Sequence, residues 1–363
     1  MSSKLDKQTH DLEQSPATLR AMALALLLGA VGGYLFLLLS FPLPWMLGAM
    51  FTNTLASLCG LRVAVSRTVR LVMIAVIGVL LGSAFSPAIA QQITDWITSL
   101  LLLSVFLVAL GFAATYFFNR VAGYDPATAY FSSMPAGLTE MTIIGTEFGG
   151  NERTIAFSHT VRVLLVAFLV PLTMTLLLGY QRPESLGSPG TTIDPTDAAV
   201  LIICGVLGVW GAVRLKLPAA ALVGPLALSG LTHLAGVTSS YPPLVLVSAA
   251  QVVLGSAVGS RFAGVELKPI ASVAAAAAVS TIIMLGLAGI FAYLTAVWTG
   301  LPLTALFLSF SPGGVTEMSL IALALNQDIA FVTTHHIARI CVIVVIAPTV
   351  FSFLKRFSGR TAS

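Results

Sequence analysis

Charge is what this chain lacks most. Only 9% of its 363 residues are Asp, Glu, Lys or Arg, whereas 57% are hydrophobic and the mean hydropathy is +0.97. A soluble domain carries roughly a quarter charged residues, so most of this surface faces something other than water, and a lipid bilayer is the partner that fits. Cysteine is scarce too. Cys59, Cys204 and Cys341 stand in apolar segments without CxxC spacing, which excludes a recognisable disulfide framework or cysteine-rich metal site and leaves small buried hydrophobes. The five histidines, His10, His159, His233, His335 and His336, show no converging ligand set for a copper enzyme. The basic surplus is slight, 18 Lys+Arg against 14 Asp+Glu, and without a soluble basic module nucleic acid is not an expected partner. Neither a cofactor nor an enzymatic activity is expected.

What is abundant is the long apolar run. One series lies at about 17–39, 43–60, 68–85, 96–118 and 154–179; a second lies at about 196–213, 218–235, 242–260, 271–298 and 329–353. We read residues 1–16 as a cytoplasmic tail without a cleavable signal, 17–180 as a first membrane repeat and 181–195 as a Pro, Gly, Ser and Thr-rich linker. Residues 196–354 form the second repeat and 355–363 a second cytoplasmic tail. Between the fourth and fifth run of each series lies a weaker stretch, 126–150 and 303–326. Pro135-Ala136-Gly137 breaks the first; Pro312, Gly313 and Gly314 break the second. Proline removes a donor and clashes with the preceding turn, so both stretches are expected to be interrupted helices.

The two series are one unit repeated. A shift of 177 residues carries Pro135, Gly137, Thr139, Glu140 and Met141 onto Pro312, Gly314, Thr316, Glu317 and Met318, and without a gap His159, Arg162 and Pro171 onto His336, Arg339 and Pro348. Gly78 and Gly82 fall on Gly255 and Gly259; a shift of 176 carries Gly32, Pro42 and Gly48 onto Gly208, Pro218 and Gly224. Apolar residues coincide by chance in such chains, but Glu, His and Arg do not. Loop charges set the relation between copies. Basic residues mark the N-terminal tail, the second loop (Arg62, Arg67, Arg70) and the fourth (Arg120) of the first half. In the second half they mark the first loop (Arg214, Lys216), the third (Arg261, Lys268) and the C-terminal tail. If basic loops are cytoplasmic, the phase change makes each half cross an odd number of times. The expected fold is therefore an all-α polytopic membrane protein, an inverted repeat with about five spans plus one broken or re-entrant helix per half.

Ionisable groups within apolar segments are costly unless they face protein or water. His159 and Arg162, like His336 and Arg339, are three apart and share a helix face. Each broken helix adds Thr139-Glu140 or Thr316-Glu317 just after its break. Half-helix N-termini offer N–H groups and partial positive charge to an anion, and discontinuous helices at repeat interfaces bind solute and ion in transporters. The candidate binding residues are Glu140, Glu317, His159, His336, Arg162, Arg339, Thr139 and Thr316. Of these the carboxylates are read as proton acceptors or cation ligands, the histidines as groups titrating near neutral pH, and the arginines as holders of a carboxylate. A scaffold made of Glu–Arg pairs is the competing reading. Elsewhere, Asn151 and Asp328 read as helix starts, His335 as a capping or loop residue, and Glu147, Glu152 and Arg153 as solvated. Trp45, Trp96 and Trp298 read as interface anchors, and Gly29-x-x-Gly32-Gly33 and Gly78-x-x-x-Gly82 as close-packing positions.

With Pro135 to Met141, Ser311 to Met318, Pro42 to Gly48 and Pro218 to Pro225 in view, the chain resembles the bacterial AbrB membrane-protein family over nearly its whole length. One departure is Ala136 where the second copy has Gly313. The resemblance implies an internal duplication and a bacterial inner (cytoplasmic) membrane location. Labels attached to the family include regulator of gene expression and ammonia monooxygenase; neither has a counterpart in these residues. The expected function is a secondary transporter of a small organic solute, leaning towards anions, coupled to protons or a monovalent cation. A membrane sensor that influences gene expression indirectly is the alternative. A homo-oligomer is compatible with either.

Overall fold

The computed structural model describes residues 19–87, 93–177, 194–264 and 267–360. The expected tail 1–16 and all but the end of the linker 181–195 lie outside them. Among the described residues all regular structure is helical. In the first half the helices are α1 (Leu19–Leu38), α2 (Pro44–Leu58), α3 (Arg67–Gly82), α4 (Trp96–Tyr116), α5 (Pro126–Ser133), α6 (Leu138–Glu147) and α7 (Glu152–Leu177). The second half holds α8 (Pro195–Arg214), α9 (Ala220–Leu234), α10 (Leu244–Gly259), α11 (Leu267–Thr299), α12 (Leu303–Phe310), α13 (Val315–Ala324) and α14 (Ile329–Arg360). Each helix of the first half thus has its sequence equivalent seven helices later, and α5–α6 and α12–α13 are the two interrupted helices.

Among the described residues seven helices are long and apolar enough to cross a membrane: α1, α4, α7, α8, α10 (counted with the helical turn that carries it on to Phe262), α11 and α14. Their apolar faces point outward, with Val108, Phe112, Val245 and Trp298 all largely exposed, as lipid contact requires. Three of the ten expected spans are shorter: α2 and α9 have 15 residues and α3 has 16. At 1.5 Å per residue that falls below the roughly 20 residues a spanning helix needs. The starts of α2 and α9 are set locally. Leu43 before α2 and its equivalent Ala219 before α9 both adopt left-handed backbone (φ 48 and 49). A non-glycine residue holds that conformation only when its surroundings enforce it.

The chain forms two compact units that cut across the sequence repeats: residues up to Met73 with Ser248–Val265, and Ile74–Val247 with residues from Glu266 onward. In the first, α1 and α2 cross so closely that a Cβ on Gly48 would collide with the backbone of Gly32. The part of α10 in this unit lies on α2, where a Cβ on Gly259 would stand 2.7 Å from Met50 O. Buried Asn53 joins the three helices, donating to Ala25 O at 3.0 Å and meeting Ser256 Oγ at 3.0 Å.

The second unit repeats that arrangement with the roles of the halves exchanged. Here α8 and α9 cross at Gly208 and Gly224, and α3 lies on α9 with Gly78 and Gly82 facing Leu222 O and Leu226 O, 2.7 and 2.6 Å from an added Cβ. Ser229, equivalent to Asn53, donates to Val79 O at 2.9 Å. The remaining helices of this unit exchange partners too: α7 packs on α11 and α14 on α4, while α13 meets α7 and α14 meets α6. Phe106 of α4 stacks on Phe310 of α12 (centroids 5.3 Å apart) within this core.

Candidate functional site

The two breaks are built alike. Helix α5 ends at Ser133 and Met134 is extended (φ −72, ψ 121), because the Pro135 ring excludes helical backbone at the residue before it. Gly137, the N-cap, is extended as well (φ −59, ψ 135). In the second copy Ser311 precedes Pro312 with φ −57 and ψ 135, and Gly314 caps α13 with φ −75 and ψ 149. Each break thus interposes extended backbone between the C-terminal end of one short helix and the N-terminal end of the next.

The His and Arg side chains of α7 and α14 reach these ends. His159 Nε2 lies 2.9 Å from Phe131 O, and Arg162 Nη1 donates to Met134 O at 3.2 Å. At the equivalent positions His336 Nε2 lies 3.0 Å from Leu308 O, and Arg339 Nη1 donates to Ser311 O at 2.6 Å. Carbonyls at a helix C-terminus carry the negative end of the dipole and favour a cation there. The copies differ in the second amino group: Arg162 Nη2 meets His159 Nδ1 at 2.8 Å, whereas Arg339 Nη2 donates to Gly313 O. His159 faces a carbonyl with one ring nitrogen and an arginine donor with the other, which defines a neutral imidazole protonated at Nε2. His336 makes the same Nε2 bond, and its Nδ1 has no hydrogen-bond partner.

Both arginines are buried, 4% and 1% exposed, and both Nε atoms lack a partner. The guanidinium groups are near enough to repel one another. Neither makes an ion pair with a carboxylate among the described residues; the Glu–Arg scaffold considered from sequence is replaced by Arg-to-carbonyl tethers. Glu140 and Glu317 instead fold back over their own N-caps. A Cβ on Gly137 would collide with Glu140 Oε2, and one on Gly314 with Glu317 Oε2, so glycine at each N-cap makes room for the carboxylate three residues on. Both glutamates are half-buried; Thr139 is exposed and Thr316 half-buried. Because α13 packs on α7 and α14 on α6, each half's Thr-Glu helix meets the other half's His-Arg helix, and the two sequence clusters are brought together. Beside the start of α13 an apolar recess is lined by Pro218, Ala219, Val223, Val315, Ile337 and Ile340.

Other expectations meet mixed outcomes. Asn151 Oδ1 accepts from Thr154 N at 3.0 Å and Asp328 Oδ1 from Phe331 N at 2.9 Å, the capping geometry expected of helix starts. His335 is not a loop residue: it is buried within α14, 2.9 Å from Ser99 Oγ and 2.8 Å from Phe331 O. Trp96 is buried edge-on against Phe331 rather than placed as an anchor, whereas Trp298 is 74% exposed. Glu152 and Arg153 are solvated but begin α7, and Glu147 ends α6. Cys204 is buried, but Cys59 and Cys341 are exposed. Sequence reading passed over Asn53, Ser229 and Ser256, polar residues inside apolar runs whose only mark was that polarity.

Seven membrane-length helices and a duplicated pair of interrupted ones define a multi-pass membrane protein. Residues 45–355 match the family described as "Transition state regulatory protein AbrB", and the chain belongs to that family. Among its relatives, "Uncharacterized protein YhjN" of Bacillus subtilis is 24% identical over 356 residues, covering 92% of this chain and 93% of the relative. "Putative regulator AbrB" of Escherichia coli is 22% identical over 335 residues, covering 90% and 94%.

Proposed function

We propose that this protein is a secondary transporter of a small organic anion, built as an inverted repeat in the bacterial inner membrane and coupled to protons or a monovalent cation. One observation carries the reading: two interrupted helices, each packed against the His-Arg helix of the other half. Discontinuous helices at the interface of duplicated halves are the binding elements of inverted-repeat transporters. In this reading the N–H groups at the starts of α6 and α13, with the Thr139 and Thr316 hydroxyls, receive the anionic end of the solute. Glu140 and Glu317 take the coupling ion. His159, His336, Arg162 and Arg339 hold the ends of α5 and α12 in place. The test is a thermal-shift screen of organic acids in detergent, then uptake of the hits into proteoliposomes under imposed ion gradients. Accumulation that fails in E140Q and E317Q supports the reading. Saturable binding without accumulation under any gradient refutes transport and favours the second reading, a membrane sensor, which the name of the Escherichia coli relative supports.

A further inference from the structure

Two permanent cations lie buried at the breaks without a counter-ion. Arg162 is 4% and Arg339 1% exposed, and among the described residues neither makes an ion pair with a carboxylate. A charge taken out of water is tolerated where it is paired and its protons are satisfied. The tethers at the breaks achieve only part of this. A guanidinium donates from two Nη groups and from Nε. The Nη groups reach Met134 O and His159 Nδ1 in one copy and Ser311 O and Gly313 O in the other. In both copies the Nε–H is left over, buried and without an acceptor. His336 Nδ1 also lacks a partner, but with Nε2 donating to Leu308 O it is the acceptor nitrogen of a neutral ring and adds no donor.

Packing brings the two leftover donors into one region. Arg339 holds Gly313 O, directly before the N-cap of α13, and α13 packs on α7, the helix that carries Arg162. The guanidiniums are near enough to repel one another. One small anion between them accepts from both Nε–H groups and replaces the repulsion of like charges with two attractions. Helix-end carbonyls already answer part of each positive charge, so a single negative charge matches the remainder. We infer that Arg162 and Arg339 form one binding site for a small monovalent anion, a carboxylate or a halide, with each half of the protein contributing one Nε–H donor. The inference rests on the transporter reading above and locates the charged end of its solute, within a donor set that neither half completes alone.

The experiment uses purified full-length protein in detergent, titrated with sodium acetate or sodium chloride at constant ionic strength, the balance made up with the bulkier anion isethionate. Thermal midpoints should rise saturably with acetate, with chloride or with both; acetate alone marks a carboxylate site, and chloride a site open to a free halide. R162Q and R339Q should each weaken half-saturation about tenfold or more, the loss of one hydrogen bond to a charged group. Wild-type protein carrying ¹⁵N-labelled arginine reads the donors directly. Two of its slowly exchanging Nε–H resonances should move with the same half-saturation as the midpoint. That readout stands even where the Gln variants fail to run as monodisperse protein in gel filtration. Absence of a saturable shift with either anion overturns the inference. So does a shift that survives in both Gln variants, or one that leaves every protected Nε–H resonance unmoved. If the transporter reading fails instead, uptake is absent while the anion-linked shifts remain.

Discussion

Replacing Arg339 and Arg162 by Gln, singly and together, tests the arrangement of the breaks most directly. Arg339 is 1% exposed and donates from Nη1 to Ser311 O at 2.6 Å and from Nη2 to Gly313 O. Leaving a buried carbonyl unsatisfied costs roughly 1–3 kcal/mol, so R339Q forfeits roughly 2–6 kcal/mol from the two. Part of that is returned, because the variant also removes the repulsion between Arg339 and Arg162. R162Q forfeits less, since only Nη1 holds a backbone oxygen and Nη2 meets His159. The repulsion is relieved once in each single variant but only once in the double. R162Q/R339Q should therefore be more destabilised than the sum of the singles, by about 0.5–3 kcal/mol, the range for coupled neighbours. Reversible unfolding in mixed micelles measures all four corners of the cycle. Additivity within about 0.5 kcal/mol would refute the repulsion between the two guanidiniums. R339K adds a control: it keeps the charge but not the planar fork that spans two carbonyls, so it should lose stability and yet show the same coupling to R162Q.

Glycine positions give a contrast in the same assay. Gly78→Leu drives a side chain into Leu222 O, 2.7 Å from the added Cβ, and should cost about 1–3 kcal/mol or more, whereas Gly211→Ala, with nothing within 4 Å, should be neutral or stabilising by up to about 1 kcal/mol; equal effects would contradict the close crossing of α3 and α9. Asp194 caps α8, accepting from the backbone and hydroxyl of Thr196, and these bonds hold its carboxyl below the usual value of 3.8. Depression in the folded state means the cap's contribution is complete above that value and lost as pH falls through the lower folded one, so hydrogen exchange in the first turn of α8 should quicken only below about pH 4, and D194A should abolish that dependence. Finally, single cysteines placed between Gln181 and Thr196 should react with an impermeant thiol reagent from the periplasmic side. Labelling solely from the cytoplasm would overturn the inverted repeat.

Much of the fold is legible along the chain because membrane helices announce themselves locally. A run of apolar residues must satisfy its own backbone in lipid and can do so only as a helix, so every expected run is a helix, within a few residues at most ends. The breaks at Pro135 and Pro312 are equally local, since proline acts on its own turn and on the residue before it. The left-handed backbone of Leu43 and Ala219 was not legible, because neither residue type carries a turn signal. His335 escaped for a different reason. Its adjacency to His336 says that the two point to different faces, but not that Ser99 waits on one of them.

The amino-acid sequence by itself determined that this protein crosses a membrane, that it is one helical unit written twice, and that each copy carries Thr, Glu, His and Arg around an interrupted helix. Those properties follow from composition, periodicity and proline chemistry, which act within a few residues. Only the tertiary structure decided where the charges went. The arginines hold carbonyls 26 to 28 residues upstream and leave the glutamates to their N-cap glycines, and the halves exchange α3 and α10 as packing partners. Such choices depend on which small residues let two backbones approach and which carbonyls a break exposes, and apolar helices of nearly uniform composition carry no mark of their partners until they pack.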